Sequence, residues 1–205
     1  MKTRVWLAVA VIALAAPSVA QQPPMPPSTD PARLESGDYA LDPAHARILF
    51  SYKHFGYSTS YGMFTLPSAR LHFDAATPAK CALDATIDLN GIDTTVDKLD
   101  NHLKSADFFD IAKFPAASFH STAVTMTGPT SATVTGELTV HGITKPVTLT
   151  VVLNGGAPHP MAKVFTLGFD ATGVIKRSDF GIGAYVPLVG DEVTLTISAE
   201  FRKVG

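Results

Sequence analysis

The sequence predicts an all-β fold of antiparallel strands, on three observations. From residue 45 onward, segment after segment alternates apolar and polar residues with a period of two, as strands buried on one face and wetted on the other do. Gly, Pro and Asn punctuate these segments at the short spacing of turns. Only residues 93–119, DTTVDKLDNHLKSADFFDIAKFPAASF, change to helical spacing. So many half-buried strands fit either a sandwich or a closed barrel.

The ends are separate from that pattern. Residues 1–20 open with Lys2 and Arg4, continue as an apolar run over 5–16 and finish in Pro17-Ser18-Val19-Ala20. A basic start, a short apolar core and small residues before Gln21 make a secretory signal peptide, with cleavage expected after Ala20. The run falls short of the ~20 residues a membrane helix needs. No second run of that length follows, so the mature protein is expected in solution, in the periplasm or secreted. Residues 21–36 carry five prolines and little to bury, which predicts an extended, flexible linker. Residues 37–205 then suffice for one domain with its own core.

Composition excludes some classes. The 16 Lys and Arg against 18 Asp and Glu give a net charge of −2, and losing Lys2 and Arg4 with the leader makes the mature chain more acidic. A nucleic-acid partner asks for the opposite sign. Cys81 is the single cysteine, so no internal disulfide can form, and a small buried apolar role is expected for it.

In chain order, residues 45–54 put Ile48, Phe50, Tyr52 and His54 on one face against Arg47, Ser51 and Lys53, with Leu49 the exception. Gly56 and Gly62 bracket YSTSY, and Met63-Phe64 leads into a second strand before Pro67-Ser68. A third strand at 70–73 shares a face between Leu71 and Phe73. Residues 81–90 oppose Leu83, Ala85, Ile87 and Leu89 to Asp84, Thr86 and Asp88.

Residues 94–106 predict a helix of about three turns. Thr94 is placed to cap it, with Asp97 reaching back. Val96, Leu99, Leu103 and Ala106 share one face, and Asp97, Asp100 and Lys104 suit the helix dipole. Phe108, Phe109, Ile111 and Phe114 follow before Pro115, which reads as an aromatic plug against the β-structure.

Strands resume at 117–126, then at 133–140 with Val134, Gly136, Leu138 and Val140 inward. They continue at 147–153, 164–172 and 192–201, the last with Val193, Leu195, Ile197, Ala199 and Phe201 inward. A barrel of about eight strands either fills its interior or holds one small ligand. The small inward residues Ala85, Gly136 and Ala199 leave room for a cavity.

Chemistry-bearing motifs are sparse. The seven histidines include no pair at the short spacing of zinc sites, though strands could gather distant ones; no metal is expected, nor a cofactor or catalytic residue. Ser178-Asp179-Phe180-Gly181 holds the letters of a kinase tripeptide without the rest of a kinase. No nucleophile elbow, phosphate loop or dinucleotide fingerprint occurs. Asp97, Asp100 and Asp107 fit a solvated helix face, and Asp100 and His102, two apart on a helix, point away from each other.

Several short motifs nevertheless come in a specific order. They are Tyr39-x-Leu41-Asp42 with His45; His54-Phe55-Gly56-Tyr57-Ser58 with Tyr61-Gly62-x-Phe64; and Asp93-Thr94 leading to Asp100-x-His102-Leu103-x-Ser105-Ala106-Asp107-Phe108-Phe109. Then come Phe114-Pro115-x-x-x-Phe119-x-Ser121, Gly136-x-Leu138-x-Val140-x-Gly142-x-Thr144-Lys145-Pro146-Val147, and Ser178-Asp179-Phe180-Gly181-Ile182. Over residues 39–201 the chain thus resembles the YceI-like family of periplasmic proteins. The resemblance implies an extended, antiparallel, lipocalin-like β-barrel of about eight strands with one short helix packed beside it.

It also implies an apolar tunnel that holds a long isoprenoid or other lipid chain, for binding, transport or storage without catalysis. The lining is expected from Ile48, Phe50, Tyr52, Phe73, Leu138, Val140, Phe169 and Phe180, with Leu103, Phe108 and Phe109 closing one side. His54 shares the inward parity and is the candidate polar contact to a head group, against a core histidine bonded to backbone.

Two rival readings stand beside this one. One is an enzyme acting on a lipid or isoprenoid, with His54 or the Asp100 and His102 pair as acid or base. The other is a stress-response interaction module whose barrel is filled by side chains. Two positions depart from the family pattern: Leu99 stands where a basic residue often precedes the helix aspartate, and residues 157–163 lack a Trp-Gly pattern. The Pro-rich arm could reach a neighbour in a homodimer, with a free tail as the default.

Overall fold

The first alternating stretch becomes the second half of the longest strand, β1 (Gly37–His54). The computed structural model describes residues 26–65 and 67–204, so the expected signal peptide and the start of the Pro-rich segment lie outside the described residues. After β1 come β2 (Ser58–Phe64), β3 (Pro67–Phe73), β4 (Ala82–Asp88), the short β5 (Ile92–Asp93) and the helix α1 (Asp97–Lys104). β6 (Ala116–Met126), β7 (Ser131–Val140), β8 (Ile143–Pro158), β9 (Phe165–Lys176) and β10 (Glu192–Lys203) follow. Every pairing is antiparallel, and β10 returns to β1 over nearly its whole length, Tyr39 opposite Lys203 and Ser51 opposite Thr194.

The result is a closed barrel of eight strands in the order β1, β3, β4, β6, β7, β8, β9, β10. Closure leaves these strands no open edge to pair with another chain. β2 and β3 are two arms of one return strand: Phe64 to Ser58 pair with the far half of β1, and Phe73 to Arg70 with its near half.

Two details differ from the sequence expectation here. β1 starts at Gly37, well before residue 45, and the reversal is made by Phe55 and Gly56 at φ 49° and 73°. Gly62 lies inside β2, because the ring of Phe50 occupies the space a side chain would take; a Cβ there would sit 2.3 Å from the ring.

Alternation of strand direction sorts the connections to two ends. One end carries the β1–β2 turn, α1 with residues 105–115, the His141-Gly142 turn and residues 177–191. The other carries residues 26–36, 74–81, 127–130 and 159–164. The apolar interior divides accordingly. The larger cluster includes Phe50, Leu103, Phe108, Leu138, Val140 and Phe180 toward the helix end. A smaller one gathers Tyr39, Leu71, Phe73, Phe165, Leu167 and Phe201 at the opposite end.

The helix is shorter than expected, and its entry is built the other way round. α1 has eight residues, Val96 takes the N-cap position, and no side chain caps it. Thr94 does not cap: its backbone N–H and its hydroxyl both donate to Asp100 Oδ1, at 2.8 and 2.6 Å. Thr95, at φ 63°, turns the chain between them. Residues 105–114 continue as tight turns, held by Phe109 N–H to Leu103 O and Asp110 N–H to Ser105 O.

The segment expected as a free linker is in part seated on the barrel. Ser28 exchanges two backbone hydrogen bonds with Gly156, at 3.0 and 2.8 Å, and Leu34 packs on the smaller cluster. Glu35 takes a hydrogen bond from Lys203 Nζ at 2.7 Å through its carboxylate, and another from the Tyr39 hydroxyl through its carbonyl. The packed unit thus begins before residue 37. Among the described residues, no helix is long and apolar enough to cross a membrane.

Candidate functional site

Inward-facing side chains of a barrel this size can meet across its axis or leave a space. Here they leave a cavity of about 640 Å³, walled from Thr29, Pro31 and Leu34 at one end to His54, His102 and Tyr185 at the other. A side-chain-filled barrel, the interaction-module reading, has no such space.

Strand alternation positions the wall. Ile48, Phe50, Tyr52 and His54 project from successive inward positions of β1, Phe73 from β3, Leu138 and Val140 from β7, and Phe169 from β9. Leu103 enters from α1, Phe108 and Phe109 from the turns after it, and Phe180 from the 3-10 turn Arg177–Phe180. The structure thus brings all twelve residues to one cavity. Phe180, at 2% exposure, is almost wholly packed into the wall. Aromatic contacts run along the interior: Phe50 to Phe64 at 5.3 Å, Phe64 to Phe109 at 5.9 Å, and Phe73 to Phe169 at 6.3 Å between centroids.

One expectation about the wall needs correction. Gly136 was expected to leave room, but the ring of Phe119 fills its place, 2.4 Å from where a Cβ would stand. The space lies where the rings end and does not follow from glycine count.

Tyr52, His54, His102, Arg177 and Tyr185 line the wall at the helix end, while Thr29, Arg47, Ser121, Thr130 and Asp170 line it elsewhere. His54 pairs through its backbone with Val189, while its ring meets Phe55 edge-on at 4.5 Å. Neither ring nitrogen of His54 or His102 has a hydrogen-bond partner among the described residues, so the backbone-bonded core histidine does not apply to His54. His102 packs on Phe108 at 4.9 Å and Tyr185 at 6.3 Å. Asp100 is engaged with Thr94, so the pairing of Asp100 with His102 does not form.

Among the wall residues that sequence reasoning passed over, Arg177 is the buried cation. It continues the inward parity of Leu167, Phe169, Ala171 and Ile175, and a cation on an inward face is a signal that could have found it. Its guanidinium donates to three backbone carbonyls: Nε to Gly190 at 3.0 Å, Nη1 to Ile182 at 2.6 Å and Nη2 to Val189 at 2.8 Å. Burial pushes its pKa down, and the charge of Asp191 opposes that. Asp191 itself accepts from Ser178 N–H at 2.9 Å and Ser178 Oγ at 2.7 Å.

A second polar group lies off the cavity wall, where β1 meets β10. Asp42, His45 and Glu200 bring ligand-type atoms within 4.8 Å of one another. His45 Nδ1 stands 2.7 Å from Asp42 Oδ2 and 3.9 Å from Glu200 Oε2. The same Asp42 oxygen is ion-paired to Arg202, so the cluster already holds its own cation.

Comparison with known proteins agrees along the whole domain. Residues 39–201 match the YceI-like domain model. A UPF0312 protein of Enterobacter sp. strain 638 is 40% identical over 167 residues, covering 80% of this chain and 86% of its own. Protein YceI of Salmonella arizonae is 39% identical over 167 residues, with the same shares of 80% and 86%. Among solved structures, Burkholderia cenocepacia BcnA superposes with a TM-score of 0.71 at 28% identity, covering 78% of this chain and 98% of its own. A polyisoprenoid-binding domain from Saccharophagus degradans, at 14% identity and a TM-score of 0.60 over 81% of this chain and 98% of its own, shares the fold.

Proposed function

The chain belongs to the YceI-like family, and from that premise we propose that it binds a long apolar lipid inside the barrel. The ligand class is a polyisoprenoid, a prenyl quinone or a fatty-acid derivative, and the role is carriage or storage without chemistry. The observation that carries the reading is the cavity of about 640 Å³ running between the two ends of a closed barrel, with aromatic and aliphatic walls. That volume lies in the range of ~300–1,000 Å³ common for small-molecule sites. A structural neighbour described as a polyisoprenoid-binding domain has the same barrel, which supports the ligand class.

Such binding needs no catalytic group. Each buried methylene contributes about 0.8 kcal/mol, so a ten-carbon chain gains roughly 8 kcal/mol before ordering costs. The non-catalytic part is supported by Asp100, the carboxylate nearest in sequence to His102, being held by Thr94. We place the protein in the periplasm or outside the cell on the signal-peptide pattern of residues 1–20.

Organic extraction of the mature protein, purified from its own envelope, followed by mass spectrometry tests the proposal. A co-purifying prenyl or acyl lipid is expected. Its absence, together with no uptake of prenyl quinones or fatty-acid derivatives, would overturn the reading.

A further inference from the structure

We propose that the helix end of the cavity is a subsite for an anionic head group, a carboxylate or phosphate, recognised by Arg177 with Tyr52. The inference rests on the lipid-binding reading and adds the chemistry of the head group to it.

Arg177 is 9% exposed and forms part of the cavity wall. A guanidinium stays charged, and a buried charge is stable only when opposed by another or fully hydrogen-bonded. Here all three recorded partners are neutral carbonyls, and no carboxylate among the described residues forms an ion pair with it. Each terminal nitrogen carries a second N–H beyond the one given to Ile182 or Val189. Two such donors on one planar fork match the two oxygens of a carboxylate or phosphate.

The neighbours agree with this assignment. Tyr52 projects from β1 into the same cavity wall as Arg177, and its neutral hydroxyl has no hydrogen-bond partner among the described residues. The unpartnered imidazoles of His54 and His102 line the same end. The rest of the wall is mostly aliphatic and aromatic, with Arg47, Ser121, Thr130 and Asp170 among its polar exceptions, and none of these stands beside Arg177 at the helix end. The charge of Asp191 also acts on Arg177, but without an ion pair between them, and that carboxylate is held by Ser178 through two hydrogen bonds.

A purely structural role for Arg177, tying residues 182–190 together, explains the three carbonyl bonds but predicts no head-group preference. The two roles separate in titrations of the delipidated mature protein with oleate and oleyl alcohol, which share a chain and differ in head charge. Oleate is expected to bind about tenfold tighter or more. Farnesyl phosphate against farnesol distinguishes phosphate from carboxylate.

Arg177→Gln should bring the oleate to oleyl alcohol ratio close to one. Because that change also removes loop hydrogen bonds, Tyr52→Phe provides an independent arm: it deletes one oxygen and should narrow the ratio severalfold. Equal binding of charged and uncharged ligands by the unmodified protein overturns the subsite and leaves the lipid cavity standing. So does a preference unchanged in both variants. Binding of neither ligand removes the lipid reading and the subsite together.

Discussion

Two glycines at 62 and 136 decide how aromatic rings share the barrel interior. At Gly136 an added Cβ would stand 2.4 Å from the Phe119 ring and 2.5 Å from the His120 carbonyl oxygen. The carbonyl belongs to the backbone of the paired strand and cannot swing away. Gly136→Ala is therefore expected to destabilise the fold by about 1–3 kcal/mol in urea denaturation, and an unchanged midpoint would show that the ladder absorbs the methyl. At Gly62 the close atoms all belong to the Phe50 ring, which lines the cavity. Gly62→Ala should thus push that ring inward and weaken lipid uptake more than stability. The inward parity of Gly136 was legible in the sequence, whereas Gly62 read as the end of a turn and lies inside β2. Which neighbouring ring would cover each glycine was not legible, because ring placement is settled by partners on the adjacent strand. Phe108 follows the same logic: it packs on His102 and Tyr185 and borders the space. Phe108→Ala should lower lipid affinity by a larger factor than it lowers apo-protein stability, and equal losses would make it core filler.

At the scale of elements, the segment 94–115 shows what local pattern can and cannot supply. Its helical period was legible, and α1 buries Leu103 as the spacing required. The capping assignment failed because a capping box is read at a three-residue spacing, whereas the contact that forms joins Thr94 to Asp100 across the left-handed residue Thr95. The two versions make opposite predictions. Asp100→Ala is expected to cost about 1–3 kcal/mol, the loss of two hydrogen bonds to a carboxylate. Asp97→Ala, a change at an exposed position with no such partner, should stay within about 0.5 kcal/mol. Chemical denaturation of the two variants ranks them, and the reverse order would restore Thr94 as the cap. Strand ends were also hard to place from sequence. The Asp42-Pro43 region interrupts the alternation of β1 where its register with β10 shifts between Leu41 and Ala46, so the strand before residue 45 went unread. The Pro-rich composition likewise hid Leu34, whose one apolar side chain seats on the smaller cluster.

For the whole molecule, closure of the barrel depends on one seam, where the first strand meets the last, and its titratable groups set how closure responds to pH. Burial alone would raise the pKa of Asp42, but hydrogen bonds from His45 and the Ala44 N–H, with the charge of Arg202, hold it below the usual carboxylate range. The unfolded chain therefore takes up this proton more readily than the folded one. The contribution of Asp42 is fully present above pH ~4 and is lost as pH falls through the folded value. Tyr39 at the same seam shows the opposite sense. Burial, then the charge of Glu35, pushes its phenol up to about 12 from 10.0. Its contribution is complete below pH 10.0 and disappears as pH rises toward about 12. The barrel should thus weaken at both extremes through one contact line. Asp42→Asn is expected to be less stable than the unmodified protein at neutral pH, with the gap narrowing below pH ~4. For Tyr39→Phe the gap should change only on the alkaline side. Urea midpoints collected across pH test both, and a gap for Asp42→Asn that stays constant into acid would mean that its ion pair with Arg202 contributes nothing to closing the barrel.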